Sequence, residues 1–106
     1  MSIVRNKVTS AQLIKALLSL KNESEAQRFL RDLMTEKEIT EFSKRLRAAE
    51  MLTEKIAYTA IVKETGLSST TVARVAKWLG GKEGGYRTII SRLHSSGTRQ
   101  ERRGLS

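Results

Sequence analysis

The sequence predicts an all-α fold. Pro is absent from all 106 residues, only five residues are aromatic, and apolar residues recur at helical intervals along most of the chain. Strands favour aromatic and β-branched residues in period-two alternation, and no useful run of that kind occurs. No internal repeat occurs either.

Leu13, Ile14, Leu17, Leu18 and Leu20 make the first apolar stripe, with Ser10 placed to cap it. Asn22 followed by Glu25 has capping-box spacing, and Ala26, Phe29, Leu30, Leu33 and Met34 follow at helical intervals. Thr35 and Glu38 form a second box. The helix they open has Ile39, Phe42, Leu46, Ala49 and Leu52 on its inward face, with Lys44, Arg45 and Arg47 opposite. Ile56 to Thr65 reads as a short helix closed by Gly66, a residue suited to a left-handed cap. Ser68 or Ser69 then caps a helix through Leu79, with Val72, Val75, Ala76 and Leu79 inward. The stretch GGKEGG at 80–85 is a flexible break, and Tyr86, Ile89, Ile90 and Leu93 form a last amphipathic helix. From Ser95 the chain reads SSGTRQERRGLS, without apolar periodicity. Residues 1–94 are therefore read as the folded domain and 95–106 as a basic, disordered tail. Arg99, Arg102 and Arg103 there read as a solubilising end, or more sharply as an arm that touches phosphates.

Lys and Arg number 20 against 11 Asp and Glu, a formal net charge of +9 and a pI near 10.4. Such a surplus on so small a body favours a polyanionic partner. It divides as +2 on residues 1–40, +3 on 41–78 and +4 on 79–106. Without Cys there is neither a disulfide framework nor a thiolate metal site, and one His, His94, argues against His-rich metal centres and triad chemistry. His94 reads instead as a partner for a helix C-terminus. The longest apolar run is three residues, as at Ala16-Leu17-Leu18, which argues against a membrane span or secretory leader and for a cytoplasmic setting. Glu36, Glu38, Glu41, Glu50 and Glu54 sit among Lys and Arg at ion-pairing intervals rather than as a catalytic pair. GGKEGG lacks the spacing of a phosphate-binding loop. No catalytic residue, metal ligand or cofactor is assigned.

The informative unit is YTAIVKETGLSSTTVARVAKWL, residues 58–79, which reads as a helix-turn-helix within 56–79. Gly66 permits the tight turn, Leu67 tucks inward, and Val72 and Val75 pack the second helix on the first. Ser69, Thr70 and Thr71 open that second helix, where a helix in the major groove approaches base edges. Direct base readout is assigned to Ser69, Thr70 and Ala73, with Thr71 the last choice, and Ala73 suits a thymine methyl. Phosphate positioning is assigned to Lys44, Arg45, Arg47, Arg74 and Lys77. Tyr58 either contacts a phosphate or packs on Trp78 or Leu67. The expected partner is double-stranded DNA, which places the chain with the nucleoid. The alternatives are a protein-interaction module and a reader of structured RNA.

Three stretches in order, LMTEKEITEFSKRLRAAEML, then YTAIVKETGLSSTTVARVAKWL, then GGKEGGYRTIISRL, resemble the tryptophan-repressor family. The Gly-Gly-Tyr after the second motif helix resembles its YerC/YecD-type, Trp repressor-related branch. The resemblance implies a bacterial transcription regulator, all-helical and built as an intertwined homodimer, with two reading heads facing a pseudo-palindromic site. It also implies an effector pocket. There the two arginines that sandwich the family's indole fall on Arg45 and Arg74, and its carboxylate-binding threonine falls on Thr35. Where the family leaves ring space with Gly this chain has Val75, and where a serine holds the amino group it has Trp78. Tryptophan is therefore not expected as a co-repressor, any other effector stays open, and Arg45 and Arg74 are read as phosphate-facing charge.

Overall fold

The computed structural model describes the backbone of residues 10–105 and the side chains of residues 10–95. Among the described residues all regular structure is helical: α1 Ser10–Leu18, α2 Glu23–Leu33, α3 Glu36–Thr53, α4 Tyr58–Thr65, α5 Ser69–Leu79 and α6 Gly85–Leu105. The chain divides between Ile39 and Thr40 into two compact units.

In the first unit the two capping boxes set the helix starts. Asn22 Oδ1 accepts from the Glu25 N–H at 2.9 Å, and the Glu25 carboxylate accepts in return from the Lys21 N–H at 2.9 Å. The Thr35–Glu38 box is reciprocal, with Thr35 Oγ1 accepting from the Glu38 N–H at 3.1 Å and Glu38 Oε1 from the Thr35 N–H at 2.9 Å. Ser10 is the first residue of α1 rather than its cap, and Leu20 lies past the helix end, its N–H bonded to the Leu17 carbonyl. No residue of α1 or α2 is buried.

The second unit holds the core. Ala48, Ala49 and Met51 of α3 join Ile61 of α4, Leu67 of the turn, Val72 and Val75 of α5, and Ile90 of α6 in one buried cluster. α4 packs on α5, and α5 on α6. The inward face read for α3 is corrected here. Phe42 remains 44 % exposed, while Ala48 and Met51, absent from that face, are buried. Periodicity identifies a stripe but not which end of an 18-residue helix the neighbours reach. The α3 C-terminus is where those neighbours lie.

Among the described residues Thr65 is the one buried polar side chain, 7 % exposed. Its hydroxyl donates to the Ile61 carbonyl at 2.7 Å and accepts from the Leu67 N–H at 3.2 Å, tying the end of α4 to the turn. Thr65→Val keeps the shape but orphans the Leu67 N–H. It should lower unfolding stability by about 1–3 kcal/mol in urea titration.

α6 continues to Leu105, past the point where apolar periodicity ends. Arg, Gln and Glu are good helix formers and no Pro interrupts them, so a helix can propagate there without an apolar stripe. His94 consequently lies inside a helix and not at its C-terminus, which corrects its reading as a dipole partner. The side chains of Arg99, Arg102 and Arg103 lie outside those described.

Candidate nucleic-acid interface

α4 and α5 meet across Gly66-Leu67-Ser68. Gly66 has φ 78, the left-handed conformation that glycine adopts without strain, and its N–H donates to the Val62 carbonyl. Leu67 is buried beneath the turn. Ser68, not Ser69, is the cap: its Oγ accepts from the Thr71 N–H at 3.1 Å and lies 3.0 Å from Thr71 Oγ1. The Thr71 hydroxyl is thus engaged at the cap, and its side chain is half-buried.

Ser69, Thr70, Ala73, Arg74 and Lys77 are all exposed. At 3.6 residues per turn they fall within an arc of about 140° on α5. Val72, Val75, Ala76 and Leu79 occupy the opposite side, with Val72 and Val75 in the core. No ion pair among the described residues engages Arg74 or Lys77.

The basic side chains of α3 differ from these. Arg45 Nε lies 3.3 Å from Glu41 Oε2, and its guanidinium stands 5.3 Å from the centre of the Phe42 ring. Arg47 is held by Glu64 of α4 at 3.1 Å and by Glu50 at 3.6 Å. The hydrogen bond to Glu64 raises the Arg47 pKa above its ordinary value. Arg47 therefore braces the first motif helix against α3, and its charge is largely answered within the chain. Lys44 reaches the turn itself: a Cβ on Gly66 would lie 3.7 Å from Lys44 Nζ. That ammonium sits where the α4 C-terminus favours a cation. Tyr58, the first residue of α4, is 46 % exposed.

The residues matched to an effector pocket are scattered in role. Thr35 spends its hydroxyl on the α3 cap. Val75 is in the core. Trp78 is exposed and forms one wall of an apolar groove of about 500 Å³ with Leu46, Tyr86 and Ile89, Glu83 being the charged residue there. Of Arg45, Arg74, Val75 and Trp78, only Trp78 lines it.

One site residue escaped the sequence reading. Arg87 of α6 donates from Nη1 to the carbonyls of Leu79 and Gly81, at the end of α5. A signal was present, since an Arg in the first turn of a helix opposes that helix's dipole. Among the described residues no three His, Cys, Asp or Glu side chains gather as metal ligands, and no helix is long and apolar enough to cross a membrane.

Comparison with known proteins places this geometry among relatives. Residues 9–94 match the family model described as Trp repressor protein. The uncharacterized protein YerC of Bacillus subtilis (strain 168) is 38 % identical over 87 residues, spanning 82 % of this chain and 84 % of its own length. A crystal structure of a TrpR-like protein from Eubacterium eligens superposes with a TM-score of 0.74 at 39 % identity, covering 84 % of this chain and 95 % of that one. A Staphylococcus aureus protein crystallised as a candidate Trp repressor gives 0.73 at 34 % identity, over 84 % and 92 %.

Proposed function

The chain belongs to the Trp repressor family, and on that premise we propose that it is a dimeric, sequence-specific double-stranded DNA-binding regulator. It acts as a repressor, since occupancy of a promoter is enough to block it, and works in the cytoplasm on the nucleoid. One observation carries the reading. The outward arc of α5 offers two short hydroxyls, a methyl and two uncommitted cations, while its inner arc is locked into the core. Hydroxyls and a methyl near a helix N-terminus suit base edges, and cations further along suit phosphates. Lys44 adds a charge at the turn, and Tyr58 a phenol at the start of α4.

Dimerisation is supported by the first unit. Leu13, Ile14, Leu17 and Leu18 of the α1 stripe and Leu33 of the α2 stripe are exposed in one chain, and Ala26, Phe29, Leu30 and Met34 are half-buried. A second copy is the partner that hides both stripes at once. The two reading heads would then address half-sites about one helical turn apart.

Tryptophan is not the effector. The branched Val75 side chain is in the core, and Trp78 places its own indole on the groove. Isothermal titration with L-tryptophan should give no binding; a dissociation constant at or below about 100 μM would reverse this reading.

Fluorescence anisotropy with a labelled random-sequence duplex, at two salt concentrations, tests the proposal. Affinity should fall steeply with salt, and duplex RNA should compete poorly. Equal competition by RNA would favour the structured-RNA reading, and no binding to either would favour a protein-interaction module.

A further inference from the structure

α5 ends without the device that ends α4. Gly66 closes α4 in the left-handed region, but Gly80 after α5 has φ −88. The N–H groups of Gly80 and Gly81 reach the Ala76 and Trp78 carbonyls, which leaves the Leu79 carbonyl to a side chain. Arg87 provides it, donating from Nη1 to the Leu79 carbonyl at 2.5 Å and to the Gly81 carbonyl at 3.0 Å. Gly84 lies close beneath the guanidinium. A Cβ there would lie 3.1 Å from Arg87 Nη2, and its φ of +71 is one that side chains rarely adopt.

Arg87 is placed against the preference of its own helix. The first turn of α6 has no acidic residue, and a cation there faces the positive end of the α6 dipole. The same cation is favourable at the C-terminus of α5. A local conflict resolved by a contact between elements marks a residue chosen for that contact.

We propose that Arg87, seated over Gly84, is a positioning residue that fixes the C-terminal end of α5 and so the angle at which Ser69, Thr70 and Ala73 meet base edges. The proposal rests on the DNA-binding reading above. Ser68 and Leu67 hold the other end of α5, so the helix is fixed at both ends. Attraction between a cation and a phosphate tolerates angular drift, whereas hydrogen bonds to base edges do not. Loss of the clamp therefore lowers discrimination more than general affinity.

Trp78 is the sole tryptophan and directly precedes the clamped Leu79, so it reports on that end of α5. Arg87→Ala, Arg87→Lys and Gly84→Ala would be compared in the full chain by acrylamide quenching of Trp78. Their affinities for a random duplex, and for the duplex that the wild type enriches most from a random library, complete the comparison. Arg87→Ala should lower the enriched-to-random affinity ratio about tenfold, leave the random-duplex salt slope unchanged and raise Trp78 quenching. Gly84→Ala, which crowds the guanidinium and strains the backbone at φ +71, should move both readouts in the same direction by less. Arg87→Lys, which keeps the charge and loses the fork, should fall between, and it decides the matter if Arg87→Ala does not fold. An unchanged ratio would overturn the proposal. So would an equal loss on both duplexes with a lower salt slope, which would make Arg87 a phosphate contact. If the wild type bound neither duplex, the DNA-binding reading would fail instead. Unchanged quenching in Arg87→Ala and Arg87→Lys would then refute the clamp on its own.

Discussion

Ile61→Ala should lower the free energy of unfolding by about 2–5 kcal/mol. Ile61 has no exposed surface and sits where the motif's two helices and α3 share one apolar cluster. Its loss removes the transfer energy of three carbons and leaves a cavity that close-packed neighbours fill only in part. Small domains are stable by about 5–15 kcal/mol, so this single change removes a large share. In urea titration the midpoint should move down with the slope unchanged, the mark of lost stability without a change in exposed surface. A loss under about 1 kcal/mol would mean that α4 is not seated as described.

The largest expected effect on binding comes from Arg74→Ala with Lys77→Ala. Both residues lie on the exposed arc of α5, and neither is engaged in an ion pair among the described residues. Each head of a dimer would lose two phosphate contacts, so the logarithmic salt slope should fall by about 3–4 per dimer. Arg74→Ala alone should reduce it by about one per head and weaken binding to all sequences alike. An unchanged slope would remove Arg74 from the interface. Arg47→Ala makes the contrast. Glu64 and Glu50 already answer that charge, so its removal should cost stability of the α3–α4 contact rather than salt slope.

Most features that depend on residues within one turn of each other are legible in the sequence, with the Ser10 cap an exception. The Asn22 and Thr35 boxes, the Gly66 cap and the inward Leu67 belong to this class. Each rests on a residue type that does one local job, so spacing alone identifies it. Contacts set by the meeting of helices were not legible. Burial of Met51 in place of Phe42 depends on which end of α3 the other helices reach. The Arg47–Glu64 tie spans 17 positions, and no short-range pattern signals it. For Arg87 the sequence shows a cation misplaced in a first helical turn but not its partners, the carbonyls of Leu79 at the end of α5 and of Gly81 just beyond it. The candidate site divides along the same line. The outward arc of α5 follows from periodicity, and the Arg45–Glu41 and Arg47–Glu50 pairs from their spacing within one helix, whereas the tie of Arg47 to Glu64 emerges only from the fold.

The most direct measurement is selection of bound fragments from a random-sequence duplex library by the intact protein. A two-fold-symmetric motif should be enriched, with half-sites about one helical turn apart. Changes at Ser69, Thr70 or Ala73 should alter the preferred bases, while Arg74→Ala should lower recovery without altering them. Enrichment of no motif, or of one that stays the same when Ser69, Thr70 and Ala73 are all replaced, would contradict the claim that α5 reads DNA sequence.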